Sequence, residues 1–281
     1  MNRHKKRDEW FLDDYSVNPY MFCQFGCIYC YIRGSIYGRG LRNQVLVKVN
    51  APELLSKELR RRAAKEEFGF IALGSSTEPW MPIEEKYYLT RRCLSVIAHF
   101  RFPVHCLTKS TLILRDADIL MEIEKVGILP QDLKGKIRRK ALVTFSLSTL
   151  NEDVARIFEP NAPNPIKRLN ALRELRKRGL YAGIAYIPLL PYISDGEDNL
   201  REMVKAARDY GADYVFFGVL TLYGEGKALY FNVLKKRFPE LLQKYKKIYR
   251  KRFQPNVNYV RELEYMARDL CNRYNVRYML T

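Results

Sequence analysis

Short apolar runs alternate with longer amphipathic stretches along most of the chain. Residues 45–49, Val-Leu-Val-Lys-Val, predict a short strand. Asn50-Ala51-Pro52 then opens a helix to about residue 67, with Asn50 as N-cap and proline in the first turn. Residues 68–73 predict a buried strand and 84–99 a helix. Residues 103–107 predict the next strand, and a helix starts near Arg115-Asp116. Residues 140–147 predict a further strand, followed by an amphipathic helix over 165–178 that Gly179 stops. Residues 181–187 read as a strand closed by Pro188 and Pro191. Residues 200–210 read as a helix ended by Gly211, and 213–219 as the last strand. A first strand is placed around residues 16–22.

Strands alternating with helices predict an α/β fold with a parallel sheet. Right-handed crossovers curl such a sheet into a barrel or leave it an open, doubly wound twist, and periodicity alone permits both. Polar residues gather where strands end: Gly74-Ser75-Ser76-Thr77, Thr108-Lys109-Ser110 and Ser146-Leu147-Ser148-Thr149. Barrel enzymes keep their sites at these ends. Ser146 and Ser148, two apart on a strand, share one face. The chain divides into an alternating strand–helix part over 1–222 and a helical extension over 223–281. In the extension Phe238, Leu241, Leu242, Tyr245, Ile248 and Tyr249 share a helical face, read as core packing. Lys244, Lys247 and Lys251 lie elsewhere on that helix and read as solvated. Cys271, beside Leu263, Ala267, Leu270 and Tyr274, reads as a buried apolar residue.

The chain has 281 residues and a formal net charge of +18. Residues 225–281 hold 14 Lys/Arg against 5 Asp/Glu, about half of that excess. Such a balance favours a polyanion partner, nucleic acid or an acidic membrane surface, over a neutral one. No apolar run approaches the length of a membrane span, and the basic N-terminus leads into Asp13-Asp14 rather than an apolar segment. A cytoplasmic protein with reduced cysteines is expected, with no membrane partner.

The cysteines sharpen the picture. Cys23, Cys27 and Cys30 follow a C-x3-C-x2-C spacing, whereas Cys93, Cys106 and Cys271 stand apart. Thiolates are soft ligands for iron–sulfur clusters and zinc. Zinc wants four N or S ligands, and His4, His99 and His105 are scattered. Disulfides belong to secreted proteins. A cubane cluster takes one thiolate per iron. Three thiolates leave one iron open to bind a small molecule.

The motif with its flanks, Asn18-Pro19-Tyr20 before and Tyr31 after, resembles the radical SAM superfamily, and within it the spore photoproduct lyase-like family. The resemblance runs from about residue 18 to 195. It implies a partial (β/α)6 barrel, a [4Fe–4S] cluster on Cys23, Cys27 and Cys30, and S-adenosylmethionine (SAM) on the open iron. Reductive cleavage would then release a 5′-deoxyadenosyl radical. A one-electron donor such as ferredoxin or flavodoxin is implied. Gly74-Ser75-Ser76-Thr77-Glu78-Pro79-Trp80 resembles the family stretch G-x-x-T-D-P-Y that holds the SAM amino group, with Glu78 in place of aspartate. Lys109 matches a T-K-S element and Arg115-Asp116 an R-D element. The resemblance further implies SAM contacts at Ser146 and Ser148, an ion pair or direct contact from Glu159 and Arg168, and an adenine contact at Tyr29.

The lyase-like family also implies a nucleic acid or nucleotide-like substrate. Modification of a peptide or small metabolite, and a non-catalytic metal-stabilised nucleic-acid-binding protein, are the other readings. The lyase carries a hydrogen-donating cysteine near the end of its second strand. This chain reads Leu73-Gly74-Ser75-Ser76-Thr77 there, with no thiol. A serine O–H is a poor hydrogen donor to a carbon radical. Tyr31 is therefore read as the radical donor, and repair of the thymine photoproduct is not expected.

Overall fold

The computed structural model describes residues 1–35, 44–250 and 252–280. Strand β1 (Asn2–Arg3) pairs antiparallel with β2 (Asp13–Val17). A small antiparallel pair, β3 (Tyr20–Met21) and β4 (Leu46–Val47), stands outside the main sheet. Helices and strands then alternate through α1 (Ala51–Ala63), β5 (Phe70–Leu73), α2 (Glu84–Tyr87), α3 (Leu89–His99), β6 (Val104–Thr108) and α4 (Ala117–Val126). They continue as β7 (Ala141–Leu147), α5 (Glu152–Phe158), α6 (Pro165–Lys177), β8 (Tyr181–Leu189), α7 (Glu197–Asp209) and β9 (Val215–Val219). Helices α8 (Gly224–Arg237), α9 (Leu242–Ile248) and α10 (Val257–Arg273) complete the described elements.

The main sheet runs β1-β2-β5-β6-β7-β8-β9, and every pairing from β2 onward is parallel. Six parallel strands thus follow one another in chain order. A doubly wound sheet would reverse its order at a switch point, so the curled alternative holds. No described pairing joins β2 to β9, and the barrel is open.

Alternation along the strands divides the core. Ile71, Leu73, Val104, Cys106, Val143 and Phe145 point to the helix layer. Phe70, Leu142, Ala185, Tyr214 and Phe216 point to the inner face, plugged by Leu12. His105 is buried on that inner face. Its Nδ1 contacts the Phe11 carbonyl at 2.8 Å and its Nε2 the Thr144 hydroxyl at 2.6 Å, which in turn meets Tyr214 Oη. Burial pushes the imidazole down to about 4, so it is neutral at physiological pH.

Several elements depart from the sequence expectations. The first parallel strand ends at Val17, not residue 22, because Tyr20–Met21 turns away to pair with Leu46–Val47. Asn50 makes no side-chain capping bond. The helix expected over 84–99 breaks at Tyr88, whose φ of 51° is left-handed. Helix α5 falls where the sequence expectations place no element. Asn151 caps it by accepting from the Asp153 and Val154 amides, the Asn-Glu-Asp signal of a helix start.

The face expected over 238–249 is interrupted by a 3-10 turn at Pro239–Leu241, yet Tyr245 and Tyr249 are buried and stacked with centroids 5.8 Å apart. Lys251 lies outside the described residues. Helix α10 lays Leu263, Ala267, Leu270 and Cys271 on the core. Beyond it, the Val215 amide donates to Arg277 and the Met279 amide to Val215, so the chain returns alongside β9. Among the described residues no helix is long and apolar enough to cross a membrane.

Candidate active site

The loop bearing Cys23, Cys27 and Cys30 lies between β3 and a 3-10 turn at Tyr31–Gly34. Two other segments hold it, the loop after β5 and the end of α5. Thr77 Oγ1 donates to the Phe22 carbonyl, and the Ile83 amide donates to Gln24 Oε1 at 2.8 Å. The Ile28 amide donates to the Phe158 carbonyl at 2.8 Å. Asn161 donates its side-chain amide to the Gln24 carbonyl and its backbone amide to that of Phe25. Asn161 carried no sequence signal, since its function depends on where α5 delivers it.

The three cysteines line one small cavity with Phe22, Arg33 and Ser76. Among the described residues no three His, Cys, Asp or Glu side chains gather as they would around a single ion. Three thiols on one cavity can each bind a different iron of a cluster. Burial pushes Cys23 and Cys27 up to about 12, with Glu78 adding to the rise at Cys23; Lys109 opposes it at both and Glu159 reinforces it at Cys27. Metal binding at these thiols must therefore release protons.

Facing this loop are the ends of β5, β6 and β7. Gly74 ends β5 with φ of 95°, and a Cβ there would come 2.2 Å from the Leu107 carbonyl oxygen, so only glycine turns this corner. Ser75, Ser76 and Thr77 follow. Tyr31, which is 46% exposed, donates its hydroxyl to the Ser75 carbonyl. Glu78 is buried. Its Oε1 accepts from Thr108 Oγ1 at 2.6 Å and the Trp80 amide at 3.1 Å, and its Oε2 accepts from the Lys109 amide at 2.8 Å. Burial raises its carboxyl, and those donors oppose the rise. Both oxygens thus bind protein and fix the corner between β5 and β6.

Lys109 reaches across the mouth. Its Nζ donates to Ser146 Oγ at 2.6 Å and stands 5.7 Å from the centre of the Tyr29 ring. Below it lies a buried network. Tyr29 and Ser148 donate their hydroxyls to Glu159 Oε1, and Arg168 pairs with Oε2. Arg168 also donates to the Pro163 and Ser146 carbonyls. Burial alone would raise the Glu159 carboxyl, but Arg168, Lys109 and these hydrogen bonds hold it below the usual carboxylate value. Burial and the neighbouring Glu159 push the Tyr29 hydroxyl well up.

The structure therefore joins Tyr29, Lys109, Ser146, Ser148, Glu159 and Arg168 into one cluster under the cysteine loop. Arg115 and Asp116 stand apart. Arg115 bridges Glu84 and Asp116, and Trp80 Nε1 donates to Asp116 at 2.9 Å, which braces the segment after β5. Cys93, Cys106 and Cys271 are all buried in the layer between sheet and helices.

A second contact escaped the sequence. A Cβ on Gly34 would meet the Tyr223 carbonyl oxygen at 2.3 Å, and one on Gly226 would meet that of Cys30 at 3.3 Å. The first turn of α8 is thus pressed, backbone to backbone, against the segment that follows the third cysteine.

Strand ends that carry charged and hydroxyl groups beneath a three-thiol loop define an α/β enzyme of the partial-barrel class. The chain belongs to the radical SAM superfamily, whose family model matches residues 17–204. Its cofactors are accordingly a [4Fe–4S] cluster and SAM. An uncharacterized protein of Mycobacterium tuberculosis strain H37Rv is 28% identical over 243 residues, covering 84% of this chain and 67% of that protein. One from Methanocaldococcus jannaschii is 31% identical over 196 residues, covering 67% and 65%. Among solved structures, a spore photoproduct lyase mutant superposes with a TM-score of 0.70 at 17% identity, covering 99% of this chain and 79% of the lyase. Another mutant of that lyase, solved with bound AdoMet and dinucleoside spore photoproduct, gives 0.69 at 18% identity, covering 94% and 75%.

Proposed function

We propose that Cys23, Cys27 and Cys30 ligate the cluster, that SAM lies between it and the strand ends, and that the radical so generated acts on a nucleic acid or nucleotide-like substrate. The carrying observation is Lys109. Its ammonium projects into the mouth with a serine hydroxyl as its hydrogen-bond partner, beside two of the thiols, as a carboxylate ligand would require. The bound cofactors supply reductive cleavage of a C–S bond and with it a carbon radical.

The chain's own residues orient and enclose. Ser75, Ser76 and Thr77 line the cofactor on the β5 side, around the bend that Gly74 permits. Glu78 acts through the corner it fixes. Ser146 positions Lys109. Tyr29, Ser148, Glu159 and Arg168 form a rigid, fully bonded floor that excludes water. Tyr31 stands at the opening as hydrogen-atom donor: its O–H bond breaks, a substrate C–H bond forms, and a tyrosyl radical remains.

Ferredoxin or flavodoxin is the proposed electron source and the cytoplasm the proposed compartment. Residues 1–222 form the catalytic part and 223–281 the extension. The substrate class draws on the net charge of +18 and on the dinucleoside bound by the structurally similar lyase. Anaerobic reconstitution followed by reduction with SAM present tests the reading. The expected result is 5′-deoxyadenosine release, with SAM affinity lowered in Lys109→Met. Undiminished release by Cys27→Ala would refute it.

A further inference from the structure

The α8–α9 arm carries a charge excess that the fold leaves unanswered. Lys235, Lys236, Arg237, Lys244, Lys246, Lys247, Arg250 and Arg252 are all exposed. Glu225 and Glu240 are the only acids over 224–252. Among the described residues none of those eight cations has a carboxylate partner. Some arginines elsewhere are answered, as Arg91 is by Asp116 and Asp118, and others such as Arg60 and Arg138 are not; what marks the arm is density, ten Lys/Arg against two acids over 224–252. The last turn of α8 gains from cations through the helix dipole. Lys246 and Lys247 sit likewise in the last turn of α9, but Lys244–Lys247 at i,i+3 sets like charges side by side, which weakens a helix.

Aromatic rings lie open beside this arm. Phe253 is 66% exposed and packs edge-on against Tyr223, and Tyr192 is 46% exposed beneath Lys244. A groove of about 470 Å³ between α5 and α8 has Ile157 and Val233 on its walls and Arg156, Lys236, Arg237 and Asp153 around them. Helix α8, about 20 Å long at 1.5 Å per residue, begins on the cluster loop through Gly34 and Gly226.

We propose that this arm is the track for a single nucleic-acid strand leading to the active-site mouth, with phosphates on the lysines and arginines and bases on Phe253 and Tyr192. It rests on the nucleic-acid reading above and adds where the strand lies and that it is single. Cations interleaved with open rings match single-strand recognition. An acidic protein fits less well, since lysine is depleted at protein–protein interfaces.

The test is anisotropy of a labelled single-stranded 12-mer on the full chain across a salt series, without SAM. Lys246→Ala/Lys247→Ala should lower the slope of log affinity against log salt by about 1.4, at roughly 0.7 per phosphate contact. Lys57→Ala/Arg60→Ala, with the same net charge on the opposite flank, should leave it unchanged. Phe253→Ala should weaken binding by about 5- to 150-fold with the slope intact. Equal slopes in the two double variants, no binding at 50 mM salt, or displacement of the strand by an acidic ferredoxin would overturn the proposal. SAM cleavage without nucleic acid should be normal in all these variants. Its loss from wild-type protein would fall on the proposed chemistry instead.

Discussion

Replacing Arg168 by methionine tests the floor of the site most directly. The guanidinium and the Glu159 carboxylate are each 1% exposed. Arg168 also satisfies the Pro163 and Ser146 carbonyls. Removing one member of a buried pair leaves the other charge uncompensated, at a cost of about 3–5 kcal/mol. Tyr29, Ser148 and Lys109 still face Glu159, which argues for the lower part of that range. The two orphaned carbonyls argue for the upper part. At about 2–4 °C per kcal/mol for a chain of this size, Tm should fall by roughly 6–20 °C.

The pH dependence gives a second check. In the wild type the folded Glu159 carboxyl is depressed, so its stabilisation is present above the unfolded value and lost as pH falls through the folded one. In Arg168→Met burial dominates and the carboxyl rises, so the penalty is largest at neutral pH and shrinks on acidification. Glu159→Gln/Arg168→Met should be less destabilised than the sum of the single variants. Thermal and urea unfolding of the reconstituted protein measures all of this. A Tm within 2 °C of wild type, or simple additivity in the double variant, would refute the reasoning.

Alanine at Cys23, Cys27 or Cys30 should abolish the cluster's visible absorbance and SAM cleavage, whereas alanine at Cys93, Cys106 or Cys271 should retain both, as read by iron content and product assay. Gly34→Ala must displace the Tyr223 carbonyl from 2.3 Å. It should cost about 1–3 kcal/mol and alter the EPR signal of the reduced cluster. His105, held at about 4 against an ordinary 6.5, is protonated more readily in the unfolded chain, so stability should decline between pH 6.5 and 4 by about 3 kcal/mol; urea titration of His105→Gln should lack that decline. With Ser75 and Ser76 where a thiol would be needed, reconstituted enzyme should cleave SAM without multiple-turnover repair of a dinucleoside spore photoproduct.

Much of the barrel was legible because its signals are local. Most strands are short apolar runs, and two crossover helices carry their own stop, Gly179 and Gly211. The cysteine loop was legible for the same reason, being three ligands in eight residues. What could not be read depends on tertiary encounter. Tyr20 looked like a continuation of the first strand, but its hydroxyl reaches Glu84 and its backbone pairs with Val47. Glu78 offered a carboxylate, and three donors from β6 and its own loop occupy it. Asn161, Gly34 and Gly226 gain meaning only when α5 and α8 bring them to the cysteine loop.

The open barrel has a consequence for handling the protein. An unclosed sheet presents two ladders of backbone donors and acceptors, which invite pairing between molecules. Here Asn2 and Arg3 lie along one edge, opposite Ser16 and Tyr15. Arg277 and Met279 bond to Val215 on the other. The first and last few residues therefore act as selvedges. Truncation at either end would leave an unpaired β-edge, and its signature would be self-association and precipitation at high concentration before any loss of catalytic geometry.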